Sequence, residues 1–412
     1  MSLIRAFRGL RPAPGQAGAI AAPPYDVLSS DEARVRVAGK PWSFLHISKP
    51  EIDLPPDMDP YAPAVYAKAA ENLQKMLAAG VLARDAAPCY YAYRLTMPGE
   101  YGDHVQTGLV AAANVADYDS NRIRKHEFTR PDKEDDRVRQ IEALNAQTGP
   151  VLLAYPASGA ADAQIDAIAQ GAPAADVVAD DGIRHQIWVL TDAAQIAAIT
   201  ATFNVMKALY IADGHHRSAA ASRVAAARQQ QGRESSADAF LSVIFPHHQM
   251  KILDYNRVVK DLNGLQELTL VTRLATAFTV EDSAGRAHPS RPGEFGMYLA
   301  GRWRKLTIKP ELIPADPVAR LDVSLLSDHV LAPLLGIADL RRDKRIDFVG
   351  GIRGLAELER RVDSGEMAVA FALHPTSMDQ LMAVADSNEV MPPKSTWFEP
   401  KLADGLVSNV LD

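Results

Sequence analysis

The chain has 412 residues, with 44 Lys and Arg against 51 Asp and Glu and a formal net charge of −7. Hydrophobic residues make up 47% and charged residues 23%, shares of a globular chain that exclude a disordered one. No apolar run reaches the roughly 18 residues of a membrane span, and the acidic balance argues against a general nucleic-acid binder.

At about 150 residues per domain, the length allows two or three domains or one large elaborated unit. Cys89 is the single cysteine, so neither an internal disulfide nor a cysteine zinc cluster is expected. The start MSLIRAFRGL carries arginines without an apolar stretch after them, so no secretory signal is expected. The expected compartment is the cytoplasm.

Residues 1–60 are rich in proline (RPAPG, APPYDVLS, KPWSF, KPEIDLPPDMDP), which predicts extended segments and turns around short strands. In APPYDVLS, Tyr25 and Asp26 sit in a rigid turn, and Ser29 or Ser30 can cap a following helix. Helical spacing of Tyr66, Leu73, Met76 and Leu77 predicts a helix over 61–80, closed by Gly80. YYAYRLTM (90–97) and VQTGLVAAA (105–113) predict a hairpin around PGEYGDH. Residues 131–148 predict a helix with Pro131 in its first turn, Val138, Ile141 and Leu144 inside, and Gly149 at its end. Next come a strand at 150–155, a surface helix and loops over 156–180, a strand at 184–190 and a helix at 192–203.

KALYIAD then runs into GHHRSAAAS. This predicts a strand at 207–212, a tight turn at Asp213 and Gly214, and a helix from His215 to about Gln229. Strands are predicted at 240–246, 251–259, 346–351 and 367–373, and helices at 353–363 and 377–386. The segment 391–402 is expected to be an irregular loop and the chain end a helix. Strands outnumber regular βα units, so the expected class is α+β with a mixed sheet.

Four segments carry candidate chemistry. At ADGHHR the backbone N–H groups of a helix start attract anions, and Arg217 adds a planar fork for phosphate oxygens. His215 and His216 can donate to those oxygens or move a proton, and Gly214 lets the backbone approach a ligand. A solvent-facing helix start capped by Asp213 explains the same residues. IRKHEFTRPDKEDDR (123–137) offers Glu127 as a base, Lys125, Arg130, Lys133 and Arg137 for phosphates, and Asp135 or Asp136 for Mg²⁺. Alternating charges on a solvated helix start account for it equally.

In MPPKSTWFEPKL, Lys394, Ser395 and Thr396 offer a cation and two hydroxyls, and Trp397 and Phe398 offer stacking faces or plugs for the core. The glycines of a Walker A loop are absent. The fourth segment is the Tyr25–Asp26 turn. His247 and His248 lack the spacing of a zinc motif with His215 and His216. Cys89 reads as a buried structural thiol.

PPYDVLS, HEFTRPDKEDDR, ADGHHR and MPPKSTWFEPKL, in this order, resemble the domain of unknown function 1015 family of bacterial and archaeal proteins, from about residue 5 to 410. The ADGHHR turn also resembles the phosphate-binding turn of the ParB/sulfiredoxin-like superfamily, which includes ParB clamps, sulfiredoxin and free serine kinases whose turn likewise reads DGHHR. The turn lacks the cysteine of a sulfiredoxin, and no basic DNA-binding domain comes after it as in ParB. The resemblance implies a ParB/sulfiredoxin-like core over 1–260 with a C-terminal α+β lobe over 261–412, the whole forming one family-length unit. It implies a nucleotide phosphate on Gly214, His215, His216 and Arg217, and phosphoryl transfer from ATP or ADP to a small hydroxyl substrate, free L-serine being the best-known case.

On this reading Mg²⁺ bridges the phosphates through Asp213 or Asp136. Glu127, or else Asp26, takes the hydroxyl proton, and His216 assists. Lys394, Lys125 and Arg137 neutralise developing charge, with Ser395 and Thr396 beside the nucleotide. The expected partners are a small-molecule substrate and a possible second copy, with neither nucleic acid nor membrane. A nucleotide-binding regulator without catalysis, and a phosphatase or nucleotidase, use the same phosphate seat.

Overall fold

The computed structural model describes residues 2–99, 102–232 and 236–412. It is an α+β protein of two compact units, Met1–Met250 with Pro400–Asp412, and Lys251–Glu399. The sequence places the lobe boundary near 260. The first unit ends at 250, and the last residues of the chain rejoin it.

The first unit is built on a nine-stranded mixed sheet. Its order runs Ile123–Arg124, Leu209–Asp213, Val151–Tyr155, Ala239–Pro246, His104–Asn114, Tyr90–Met97, Arg184–Leu190 and Ala175–Val178, with Ile4–Arg5 pairing beside His104–Asn114. Leu209–Asp213 is parallel to Ile123–Arg124 and antiparallel to Val151–Tyr155. The 90–97 and 104–114 pair is the predicted hairpin, in register from Tyr91 opposite Val110 to Met97 opposite His104. Residues 100 and 101 of its turn lie outside the described residues. Central strands such as Val151–Tyr155 and Ala239–Pro246 are buried throughout and read as continuous apolar runs.

Two helices frame the site. Pro131–Leu144 starts on proline with Asp132 and Glu134 in its first turn, and turns Ile141 and Leu144 inward. It stops earlier than the sequence suggests, because Asn145 takes a left-handed conformation at φ 46° and Ala146–Gln147 joins a strand. His215–Gln230 packs its Ala219–Ala221 run into the core.

A small four-stranded sheet ties both chain ends together in the order Leu82–Arg84, Gly9–Pro12, Ser408–Val410, Ala146–Gln147. The predicted C-terminal helix is therefore a strand. Its pairing partners are hundreds of residues away, a preference local sequence does not display. The proline-rich start does form short strands and turns, with short helices at Ala17–Ile20, Ser30–Arg36 and Leu45–Ser48 among them. Ser29 caps Ser30–Arg36 in a capping box with Glu32, as its position in the sequence suggests. The 156–180 stretch adds the edge strand Ala175–Val178 to the expected helix. Cys89 is buried.

The second unit carries a six-stranded antiparallel sheet ordered Phe278–Asp282, Arg302–Ile308, Glu294–Leu299, Val369–Leu373, Tyr255–Val259, Ile346–Gly350. The expected 251–259 strand is two strands, since Lys251–Leu253 instead pairs with Trp397–Glu399 in a separate ribbon.

Gly405 fixes the path of the C-terminal segment through the first unit. It sits at φ 87°, and a Cβ there would lie 2.7 Å from the Phe44 ring. Gly405→Ala is expected to lower the unfolding free energy by about 2 kcal/mol or more, read from the urea midpoint. An unchanged midpoint would contradict this tight contact.

Candidate functional site

The site grows from a strand end. The register of Leu209–Asp213 against Val151–Tyr155 slips between Ile211 and Asp213, and the slip re-aims the turn at Asp213 and Gly214. Asp213 Oδ1 accepts from the Gly214 N–H at 2.8 Å. Gly214 turns at φ 97°, and a Cβ there would lie 3.1 Å from Arg217 Nε and 3.3 Å from Val151 Cα. Glycine thus permits both the turn and the folding back of the guanidinium. The helix His215–Gln230 begins with no side-chain cap, so its positive end is available to an anion.

Arg217 is held from several sides. Nη1 donates to the Pro150 carbonyl, and Nη2 faces Asp213 Oδ2 at 3.4 Å. Burial works to discharge it, but Asp213, Asp26, Tyr25 and Asp404 prevail and hold its pKa above the ordinary arginine value. Asp213 is held below the usual carboxylate range. Burial pushes it up, and Arg217, Lys401, His215 and the Gly214 N–H together outweigh that push.

Tyr25, Arg137, Thr148, Gly149, Arg217 and Asp404 line a small cleft of about 30 Å³ that opens to solvent. The Arg137 guanidinium lies 3.9 Å from the Tyr25 ring centre, a cation–π contact, and donates to Asp136 Oδ2 at 2.6 Å. Asp404 is held in place by backbone: its N–H donates to the Ala22 carbonyl at 2.8 Å and its carbonyl accepts from the Ala22 N–H at 3.1 Å. Its carboxyl is buried, and burial raises its pKa to about 7 against the pull of Arg217 and Arg137, with Asp26 adding to the rise.

A second cluster flanks the same turn. His126 and His215 pack edge to face, ring centres 4.5 Å apart, and His215 Nδ1 lies 3.6 Å from Glu127 Oε2. Burial lowers both histidines, His126 to about 4 and His215 well below its ordinary value. Burial, with Arg130 and Lys133 nearby, also lowers His216 against the opposite pull of Glu134 and Asp132. All three rings are neutral at pH 7.

Three of the four candidate segments therefore meet in the first unit. Asp26 is exposed beside Tyr25 and acts on Arg217, Arg137 and Asp404. Glu127 faces His215 and is not among the cleft residues. His216 Nε2 accepts the Arg130 N–H at 3.0 Å and so pins the entry of the Pro131–Leu144 helix. Lys125 packs its Nζ 3.9 Å from the Tyr118 ring centre, where burial lowers its pKa against Asp119. Lys133 donates to Tyr61 Oη, Arg130 pairs with Asp132, and Asp135 pairs with Arg223, as on a solvated helix start. Asp136 accepts from Tyr66 Oη at 2.8 Å and from Arg137, so both its oxygens are spent and it does not suit Mg²⁺.

Lys394, Ser395 and Thr396 lie in the second unit. Lys394 takes φ 59° with its Nζ 5.6 Å from the Tyr255 ring centre, and its carbonyl accepts from Arg257. Ser395 Oγ donates to the Pro392 carbonyl at 2.7 Å. The last residues of the same motif behave differently, since Lys401 belongs to the first unit and acts on Asp213. Sequence reasoning missed Asp404. The Asp404-Gly405 pair was its visible signal, a turn dipeptide just beyond the motif.

Residues 4–324 match the model of a family described as "Protein of unknown function (DUF1015)". The chain belongs to this family. PPYDVLS, HEFTRPDKEDDR and ADGHHR lie inside the DUF1015 match, while MPPKSTWFEPKL and Asp404 lie beyond it. No curated protein matches the chain. Similar solved structures include a free serine kinase in complex with AMP, 14% identical, with a TM-score of 0.34 over 72% of this chain and 92% of that one. Another is SbnI with a C-terminal truncation from Staphylococcus aureus, 13% identical, TM-score 0.37, over 72% and 85%. A third is a conserved hypothetical protein from Pyrococcus furiosus, 14% identical, TM-score 0.34, over 72% and 95%.

Asp404 yields a pH prediction. Its folded pKa of about 7 lies above its unfolded value, so the folded chain keeps a proton that the unfolded chain loses. The stability this proton confers is present at low pH and is lost as pH rises through about 7. The Asp404→Asn variant carries no such titration. Its unfolding free energy relative to the parent is expected to climb by about 2–4 kcal/mol between about pH 4 and 7. A difference that stays flat in denaturant titrations across that range would refute the shift.

Proposed function

We propose that this DUF1015 protein is a nucleotide-dependent phosphotransferase acting on a small hydroxyl substrate, with free L-serine the first candidate. The observation that carries the reading is the meeting of Tyr25, Arg137, Arg217 and Asp404 in one cleft at an uncapped helix N-terminus. Such a helix start, with two guanidinium groups beside it, suits the oxygens of a phosphoryl group. The resemblance of ADGHHR to the phosphate-binding turn of the ParB/sulfiredoxin-like superfamily supports the same seat.

Phosphoryl transfer asks a protein for positioning and charge far more than for covalent help. Arg217 and Arg137 neutralise charge on the transferred group. Asp404, with a pKa near the working pH, takes the proton of the attacking hydroxyl, the role the sequence assigned to Glu127 or Asp26. Asp26 stays exposed beside Tyr25. ATP or ADP is the donor. Mg²⁺ on a nucleotide takes one or two carboxylates besides phosphate oxygens, and both aspartates first considered, Asp213 and Asp136, already have their oxygens engaged within the protein. When bound, Mg²⁺ would offset phosphate charge.

The pure protein, incubated with ATP or ADP, Mg²⁺ and L-serine, is expected to yield O-phosphoserine. Arg217→Ala should weaken nucleotide binding about tenfold or more by calorimetry. Asp404→Asn should retain binding and lower turnover by about 10²–10⁴-fold. Free phosphate released without an acceptor would establish a hydrolase instead, and binding without turnover a regulator. Absence of both product and nucleotide binding would sink the reading.

A further inference from the structure

We propose that His126, Glu127 and His215 bind a divalent transition-metal ion of the Zn²⁺ type, at a site separate from the Arg217 cleft. One donor atom from each of the three lies within 4.8 Å of the other two. Ligand atoms about 2.1 Å from a tetrahedral Zn²⁺ stand about 3.4 Å apart. The 3.6 Å between His215 Nδ1 and Glu127 Oε2 is already close to that spacing, and side-chain rotation within the group covers the rest.

The independent observation is at His126. Its side chain is 2% exposed, and its Nδ1 is buried without a hydrogen-bond partner among the described residues. A buried polar atom left unpaired costs about 1–3 kcal/mol, so its presence needs a reason. The Ile211 backbone beside the ring favours a proton on it. Nδ1 being unpartnered, a neutral ring with its proton on Nε2 would leave the Nδ1 lone pair for a ligand. Metal-binding histidines are oriented in this way, with the second nitrogen donating to a carbonyl.

The remaining features agree. Burial keeps both imidazoles neutral at pH 7, as ligation requires. Ligation through His215 Nδ1 puts the ring proton on Nε2, which gives up the 3.5 Å contact from the His126 N–H, a contact already at the edge of hydrogen-bonding range, so little is lost. Glu127 is 52% exposed and supplies both a charged ligand and a way in from solvent. Two imidazoles and one carboxylate match Zn²⁺ or a neighbouring transition ion rather than Mg²⁺, which prefers oxygen alone. Three protein ligands leave a coordination position open, as in sites that hold water or a substrate oxygen.

The test is metal binding to the full chain without nucleotide, so it stands whether or not phosphotransfer is found. Chelator-stripped protein is titrated with Zn²⁺ against a chromogenic competitor, and with Co²⁺ for its ligand-field spectrum. One ion per chain is expected, with Co²⁺ bands of low-symmetry four- or five-coordination. Glu127→Gln, at a half-exposed position that folding tolerates, should weaken Zn²⁺ binding about tenfold or more, and His126→Gln and His215→Gln should do so as well. Asp136→Asn should leave it unchanged. No Zn²⁺ bound at competitor strength, or Glu127→Gln equal to the parent, would overturn the site.

Discussion

A buried guanidinium must be paired, and Arg217 is the group whose pairing organises the first unit. Losing its hydration is costly unless carboxylates and carbonyls surround it. Those partners come from far apart in the chain: Pro150 after one helix, Asp213 on its own turn, Asp26 from the proline-rich start, and Asp404 from the last residues. Each partner needs its own fixing. Asp404 is bridged to Ala22, three residues before Tyr25, so the two chain ends arrive together. Arg217 therefore works as a structural requirement that gathers the same residues a phosphoryl group would meet.

The charge inventory of this cluster limits what it can hold. Arg137 and Arg217 face Asp26, Asp136, Asp213 and Asp404, so the cleft is not a simple cationic well. Asp136 is spent on Arg137 and Tyr66, and Asp213 on Arg217 and the Gly214 N–H. What tips the balance is Asp404, whose burial holds its pKa near 7. Protonated, it adds no negative charge, so the two arginines face three carboxylates rather than four. Near neutral pH the carboxyl is present in both forms, so it is placed to exchange a proton with a bound group, a coupling typical of functional carboxylates.

Much of this was legible in the sequence. The strand, turn and helix through ALYIADGHHR arise from an apolar run, a glycine and a small-residue helix face, and they stand where expected. The Pro131 helix start and the Ser29 cap are equally local signals. What was not legible depended on distant pairing. Ser408–Val410 is a strand only because Gly9–Pro12 and Ala146–Gln147 are there to receive it. Burial, not residue type, singles out Asp404 and His126, and burial is a property of the assembled fold. Lys394 and Lys401 belong to one motif by sequence and to different compact units by structure.

The HHR triplet shows most clearly why a motif is not yet a site. Successive residues on a helix point about 100° apart, so His215, His216 and Arg217 cannot all line one ligand pocket. His215 turns to His126 and Glu127, His216 takes the Arg130 N–H, and Arg217 folds over Gly214 into the cleft. Only their backbone N–H groups share a direction, toward the helix start. An anion at that start meets backbone amides and the guanidinium groups of Arg217 and Arg137, while the two imidazoles are committed elsewhere. One fixes the entry of the neighbouring helix, and the other completes a cluster of nitrogen and oxygen donors. A change at any of the three residues therefore perturbs a different part of the unit, and the short motif serves as the hub from which those parts are positioned.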